Sequence, residues 1–449
     1  MTKPWGIRIA GGIRLAMLLL AGGLTVGCDT WFGADEDPPL PGERISVLAH
    51  DRQLSPDPQA QGRRIILPPP VVNPEWPQPG GYANHAMHHL TIADSPQARW
   101  TADAGTSSDS SERFVGQPIV AGGRVFTMDS GHLVSAFAAA GGERLWQTPL
   151  APETEEDDGH ISGGLAHENG IVFATTGFAQ VVALNAATGE EIWWRKFPAP
   201  FRAAPTARGG RVFAISLDNT LHVLDAVDGA ELWSHTGITE PTSLLGGGSP
   251  AVDGGVVVAP FSSGEILAMS VGNGRVLWAD SLASARRTDE TAALSQIRGH
   301  PVVDRGRVLA LSHGGVMAAI DTRTGRRLWD REVGGLQTPW VAGSFVYVLT
   351  VDAQLLCLSR DDGRITWITE LPAFEDEEDR DDPILWTGPV LVSDRLVVVG
   401  SHGVAFAISP YTGEYLGAIE LSDPVSVPSV VADGTLYVLT DEADLIAFR

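Results

Sequence analysis

The chain has almost no cysteine: Cys28 and Cys357 are the only two in 449 residues. Sulfur therefore offers no cross-linking framework, and packing has to hold the fold. Basic residues are also scarce. Lys and Arg total 31 against 55 Asp and Glu, for a net charge of -24. No basic stripe is present to neutralise phosphates, which excludes nucleic acid as a partner. The same deficit excludes adhesion to anionic lipid by polybasic attraction. Apolar runs are short. The longest, residues 15–26, falls below the ~20 residues a spanning helix needs. No stretch keeps a helical period of any length. Phosphate loops, zinc-protease His pairs and Gly-x-Ser-x-Gly elbows are all missing.

What the chain has instead is repetition. Gly, three residues, then Trp occurs as Gly142…Trp146, Gly189…Trp193, Gly229…Trp233, Gly274…Trp278, Gly325…Trp329 and Gly363…Trp367. A seventh copy, Gly413…Gly417, keeps the spacing and loses the Trp. Before each tag comes an apolar phrase ending in a turn, as in Val181-Val182-Ala183-Leu184-Asn185-Ala186-Ala187-Thr188-Gly189. That is a buried strand entering a tight turn in which Gly takes the positive φ. Earlier in each unit a Pro (Pro118, Pro205, Pro250, Pro301, Pro339, Pro389, Pro428) leads to a second strand pair. Four short strands in about 40–45 residues is the size of one β-propeller blade.

The sequence thus predicts an all-β, eight-bladed propeller of four-stranded blades over residues 98–449. Seven blades carry the tag. The eighth, from Pro428 to Arg449, ends before any tag, and its missing outer strand is expected from Ala98-Arg99-Trp100. Trp100 then supplies the absent indole and closes the ring, which removes two unpaired sheet edges. Trp100, Trp146, Trp193, Trp233, Trp278, Trp329 and Trp367 are read as structural docking residues between blades. Burying one indole removes ~150–250 Å² from water, or about 4–6 kcal/mol as an upper bound. Cys357 occupies the small-residue slot that Ala183, Ala319 and Ala407 fill elsewhere and is read as packing.

The N-terminus reads as an export signal. Lys3, Arg8 and Arg14 precede the apolar run, which ends in Leu24-Thr25-Val26-Gly27-Cys28. This resembles a bacterial lipobox, with residues 1–27 as signal peptide and Cys28 as the lipidated residue; Thr25 departs from the usual Leu. More than one acyl chain gives stable anchoring. With Cys28 lipidated, no disulfide remains. Asp29 resembles an inner-membrane retention residue, so either membrane stays open. Residues 28–97 are Pro-rich, as in Pro38-Pro39-Leu40-Pro41-Gly42 and Pro68-Pro69-Pro70, and read as a tether.

Candidate chemistry is thin. His85, His88 and His89 have a spacing that binds metal if helical, but no fourth ligand is apparent. No metal site is assigned. The acidic run Glu375-Asp376-Glu377-Glu378-Asp379-Arg380-Asp381-Asp382 reads as a solvated loop, with a docking loop or a calcium-attracting patch as the alternatives. Glu153-Thr154-Glu155-Glu156-Asp157-Asp158 is a lesser example.

The repeated phrase Ala-x-Asn/Asp-x-x-Thr-Gly-x-x-x-Trp resembles that of the quinoprotein-like propellers. The resemblance covers the eight blades. It implies one of two branches: quinone-dependent alcohol dehydrogenases, or BamB-type lipoproteins of the outer-membrane β-barrel assembly machinery. The dehydrogenases carry a vicinal Cys pair, which this chain does not have. The lipobox, tether and eight blades resemble the BamB type. That resemblance implies a non-catalytic scaffold without cofactor. It would dock on a BamA-type subunit and aid insertion of nascent outer-membrane proteins, anchored by lipid to the outer membrane in the periplasm. Pyrroloquinoline-quinone oxidoreductase, or a propeller for envelope peptides or glycans, are the alternatives. Two partner-binding loops of the family have counterparts here. Ser243-Leu244-Leu245-Gly246 is similar to Ser-Leu-Arg-Gly, with Leu245 replacing Arg. Leu294-Ser295-Gln296-Ile297-Arg298-Gly299-His300-Pro301 is similar to Leu-Ser-Asp-Val-Asp-x-x-Pro, with Gln296 and Arg298 replacing the acids. Ser243, Leu244, Leu245, Gln296 and Arg298 are the expected partner-binding residues.

Overall fold

The computed structural model describes residues 54–449 apart from 61, 109–112, 153–159, 241 and 284–294. The expected signal peptide, Cys28, Asp29, the acidic run 153–158 and Leu294 lie outside the described residues.

Eight antiparallel sheets of four strands follow one another along the chain. In each blade the first strand is innermost and the fourth outermost. Blade 1 runs through strands Ile119–Ala121, Arg124–Met128, Leu133–Ala138 and Arg144–Pro149. Blade 7 runs through Trp386–Val392, Arg395–Gly400, Val404–Ile408 and Tyr415–Glu420. Blade 8 takes Val430–Ala432, Thr435–Leu439 and Asp444–Phe448 from the C-terminal end, and its outer strand is Ala98–Asp103. Thr101 pairs with Ile446 and Ala102 with Leu445 in that closing ladder. The ring therefore closes where the sequence placed it.

Strand alternation gives the ring two faces. Turns from first to second strand and from third to fourth lie at one face, where Ala186 N–H bonds Gly170 O at 2.9 Å and Ala226 N–H bonds Gly210 O at 3.0 Å. Loops between blades lie at the other, beside the second-to-third turns. There Gly237 N–H bonds Asn219 O and Leu282 N–H bonds Gly264 O, both at 2.8 Å. The core sits between blades: Val134 and Ala136 of blade 1 pack with Leu165, Val172 and Val182 of blade 2.

The tag works as a repeated joint. Each indole leaves an outer strand and donates its Nε1–H to a turn carbonyl of the next blade. The pairs are Trp100 to Ala139 and Trp146 to Ala186 at 3.2 Å, Trp193 to Ala226 and Trp233 to Val271 at 3.0 Å, Trp278 to Thr322 at 2.7 Å, Trp329 to Arg360 at 2.8 Å and Trp367 to Pro410 at 3.2 Å. The ring lies flat on the Gly of that next turn. A Cβ built on Gly229 would stand 2.6 Å from the Trp193 indole, and φ there is +70°. Only glycine fits both the conformation and the contact.

Two expectations change. The tether reading does not hold for the described part of residues 28–97. Residues 73–90 thread across the turn-bearing face and bond the innermost strands around the ring. Asp433 N–H bonds Asn73 O, Trp76 exchanges both backbone bonds with Val120, and His167 N–H bonds Pro77 O. Gln78 and Ala207 bond through the Gln side chain; Val252 and Val303 bond Ala83 and Asn84. Trp340 Nε1–H then bonds His88 O, and Leu90 N–H bonds Leu391 O. All eight blades are touched in turn. Trp76 and Leu90 are each 1% exposed, so apolar burial fixes a segment whose prolines suit it to neither helix nor sheet. The second change is in the acidic run. Phe374–Asp376 and Asp381–Pro383 pair as a small exposed hairpin between blades 6 and 7, where the sequence showed only a charged loop.

Candidate functional site: the open mouth of the channel

Because residues 73–90 plug the turn-bearing face, the central channel is a blind cup. Trp76 and His85 form its floor region, with His300, Gln337 and Trp340 above them around about 40 Å³ of free space. The His85 and His300 rings lie tilted against each other, centroids 5.0 Å apart and planes at 39°. Its Nδ1 contacts Pro301 O at 2.7 Å. Burial holds the His85 imidazole neutral, with its pKa lowered to about 4 despite the carbonyl that opposes the shift. His300 is lowered well below its usual value, first by burial and then by His85 and Arg298. It accepts the Ser249 N–H on Nδ1 at 2.8 Å, a bond that requires the neutral ring.

The histidine cluster of the sequence does not converge. His85 turns to Pro301, His89 Nδ1 to Pro68 O at 2.7 Å, and His88 to Asp304 at 3.5 Å. His85 and His88 both have φ of 58°, not helical geometry. Among the described residues no group of three or more His, Cys, Asp or Glu is placed to hold a metal ion. Cys357 is fully buried, and burial raises its thiol pKa far above the reactive range.

The two loops singled out by sequence do converge, at the opposite, open face. The loop from blade 3 to blade 4 carries Ser243, Leu244 and Leu245; the next interblade loop carries Gln296 and Arg298. Gln296 is 4% exposed and joins them. Its Oε1 accepts the Leu244 N–H at 2.6 Å, and its Nε2 donates to Gly246 O at 2.8 Å. Arg298 lies against the same turn: a Cβ on Gly246 would stand 3.1 Å from Arg298 Nε. Leu245 and Arg298 then line a cavity of about 320 Å³ in the channel mouth, with His313, Leu336, Val351 and Leu385. Val351 and Leu385 are 46% and 54% exposed and form an apolar rim. Burial lowers the Arg298 pKa, and no carboxylate among the described residues pairs with it. In a chain of net charge -24, this mouth is lined by two cations, Arg298 and Arg113.

The mouth thus has one open face, an apolar rim and two guanidiniums, Arg113 and Arg298, in its lining. Sequence comparison decides the lineage. A family model described as outer membrane protein assembly factor BamB matches residues 129–369. The chain belongs to the BamB family. It is 27% identical over 360 residues to the outer membrane protein assembly factor BamB of Yersinia pestis, covering 77% of this chain and 89% of that protein. Against BamB of Escherichia coli (strain K12) the identity is 27% over 348 residues, covering 77% and 86%. The crystal structure of BamB from Moraxella catarrhalis superposes with a TM-score of 0.66 at 20% identity, covering 79% of this chain and 99% of that one. A quinohemoprotein alcohol dehydrogenase from Comamonas testosteroni gives a TM-score of 0.64 at 13% identity, covering 84% and 80%. Those two superpositions are nearly equal and show the shared propeller alone. Sequence separates the BamB family from the dehydrogenases.

Proposed function

We propose that this protein is a non-catalytic scaffold of the outer-membrane protein assembly machinery. It docks on a BamA-type subunit and aids insertion of outer-membrane proteins. The observation that supports this most is the joining of two interblade loops by Gln296 at the open mouth. The relatives that carry the name BamB are called outer membrane protein assembly factors. Ser243, Leu244, Leu245, Gln296 and Arg298 make the contact. Arg298 selects a carboxylate on the partner, and the rim of Val351 and Leu385 takes an apolar side chain beside it. Cys28 carries the lipid anchor and holds the propeller at the periplasmic side of the outer membrane.

The quinone-enzyme reading fits the deep channel poorly. Small-molecule sites occupy roughly 300–1,000 Å³; the mouth reaches about 320 Å³, but the channel behind it leaves about 40 Å³ beneath His300 and Gln337. The residues present do not make room there for a tricyclic quinone. A deletion strain tests the proposal: outer-membrane porin levels should fall and recover with the wild-type gene. Normal porin levels in the deletion strain would count against it.

A further inference from the structure

Blade 7 has Gly417 where the six preceding tags have Trp. Elsewhere the indole crosses to the next blade and fills the gap between them. At Gly189 a built Cβ would already stand 2.6 Å from Trp146, and at Gly363 2.6 Å from Trp329. At Gly417 it would meet nothing within 4 Å.

The seat is altered as well. The following blade is the eighth, whose third strand ends at Phe448 and whose outer strand begins at Ala98. No turn joins those two strands, so no glycine offers a flat floor. In blades 1 and 6 a Thr two residues after the Trp bonds that glycine's carbonyl, and in blade 5 Arg331 does so. Thr148 reaches Gly189 O at 2.7 Å and Thr369 reaches Gly413 O at 2.6 Å. Here the position is Ile419.

What remains is a cavity of about 290 Å³ between blades 7 and 8. Phe406, Ile419, Leu421, Leu436, Val438 and Phe448 wall it. Asp94, Gln97 and Arg395 stand at its polar side. A dry apolar cavity of ~150 Å³ accepts benzene, so this one has room for a bicyclic ring. The strand beside it, Tyr415–Glu420, is the free outer edge of its sheet and is exposed along its whole length. Leu416 and Ile419 are 53% and 47% exposed. An edge strand pairs readily with an extended chain, and alternate side chains of the added strand point into whatever pockets line it. Seven sister joints in this molecule show which group fills such a gap: an indole on a strand.

We propose that the seam between blades 7 and 8 binds an aromatic side chain, of indole size, on an extended segment of a partner polypeptide that adds to the edge strand Tyr415–Glu420. The seam shares no residue with the channel mouth, so the proposal stands apart from docking there.

The test uses the intact protein and a capped ten-residue peptide of alternating Thr and Val with one central 5-fluorotryptophan, followed by fluorine NMR. Saturable broadening and shift of the signal are expected. Gly417→Trp fills the seam from blade 7, and Leu436→Trp narrows it from blade 8. Each variant should weaken binding at least tenfold while circular dichroism stays native. A peptide with Ala for Trp, read by its competition against the fluorinated peptide, should bind at least tenfold more weakly. Equal affinity for the Ala peptide, or undiminished binding by both folded variants, overturns the proposal. Concentration-dependent self-association that Gly417→Trp abolishes also overturns it, because a second copy would then supply the ring.

Discussion

Gln296 and Leu244 are joined across two separate interblade loops: the Gln296 side-chain oxygen accepts the Leu244 N–H at 2.6 Å. The same amide donates to Gly246. One buried side chain thus sets the position of both loops at the open mouth.

Replacing it should loosen that mouth. Gln296→Leu keeps the volume but leaves the Leu244 N–H and the Gly246 carbonyl unpaired, at a cost of about 1–3 kcal/mol. Thermal unfolding should show a lower midpoint. Binding to the BamA-type subunit should weaken more than the folded fraction falls. A variant with unchanged midpoint and unchanged binding would remove Gln296 from the account.

The tag glycines should separate by position. Gly229→Ala forces a Cβ into the Trp193 ring at φ +70° and should destabilise by roughly 1–3 kcal/mol. Gly417→Ala meets open space and should stay within about 0.5 kcal/mol of wild type. Urea midpoints of the two variants, measured side by side, check both values at once.

The plug should make stability depend on pH. His85 has a folded pKa of about 4 against an ordinary value of 6.5. Between those values the unfolded chain binds a proton that the folded chain refuses. Stability from this group is complete above pH 6.5 and is lost as pH falls toward 4, by about 3 kcal/mol in total. His85→Gln cannot titrate. The gap in unfolding free energy between wild type and His85→Gln should therefore shift in the variant's favour as pH drops from 7 to 4.5. A constant gap would mean that His85 is protonated in the folded protein.

Anchoring should be separable from folding. Cys28→Ala should move the protein from the membrane pellet to the soluble periplasmic fraction without changing its unfolding midpoint. Membrane association equal to wild type would contradict lipidation at Cys28.

The blades were legible in the sequence because each repeats one physical solution: a buried strand, a glycine turn and an indole for the next blade. Ring closure was legible for the same reason, since the eighth unit lacked a strand and Trp100 stood outside the other seven. Residues 73–90 were not legible. Their hydrogen bonds go to eight different strands, so no period marks them, and Pro74, Pro77 and Pro79 imitate a tether. The one available sign was composition: Trp76 and Leu90 are costly to leave in water. At the mouth, the two loops were recognisable by their frame. The cavity that Leu245 and Arg298 share was not, because it is built by loops from several blades that only the closed ring brings together.

The central claim is docking on the assembly machinery through the mouth. Detergent-solubilised membranes carrying tagged protein should yield the BamA-type subunit with the wild type. The folded double variant Leu245→Asp/Arg298→Asp should lose at least tenfold of that recovery. Isolation of the wild-type propeller alone, or equal recovery with the double variant, would contradict the account.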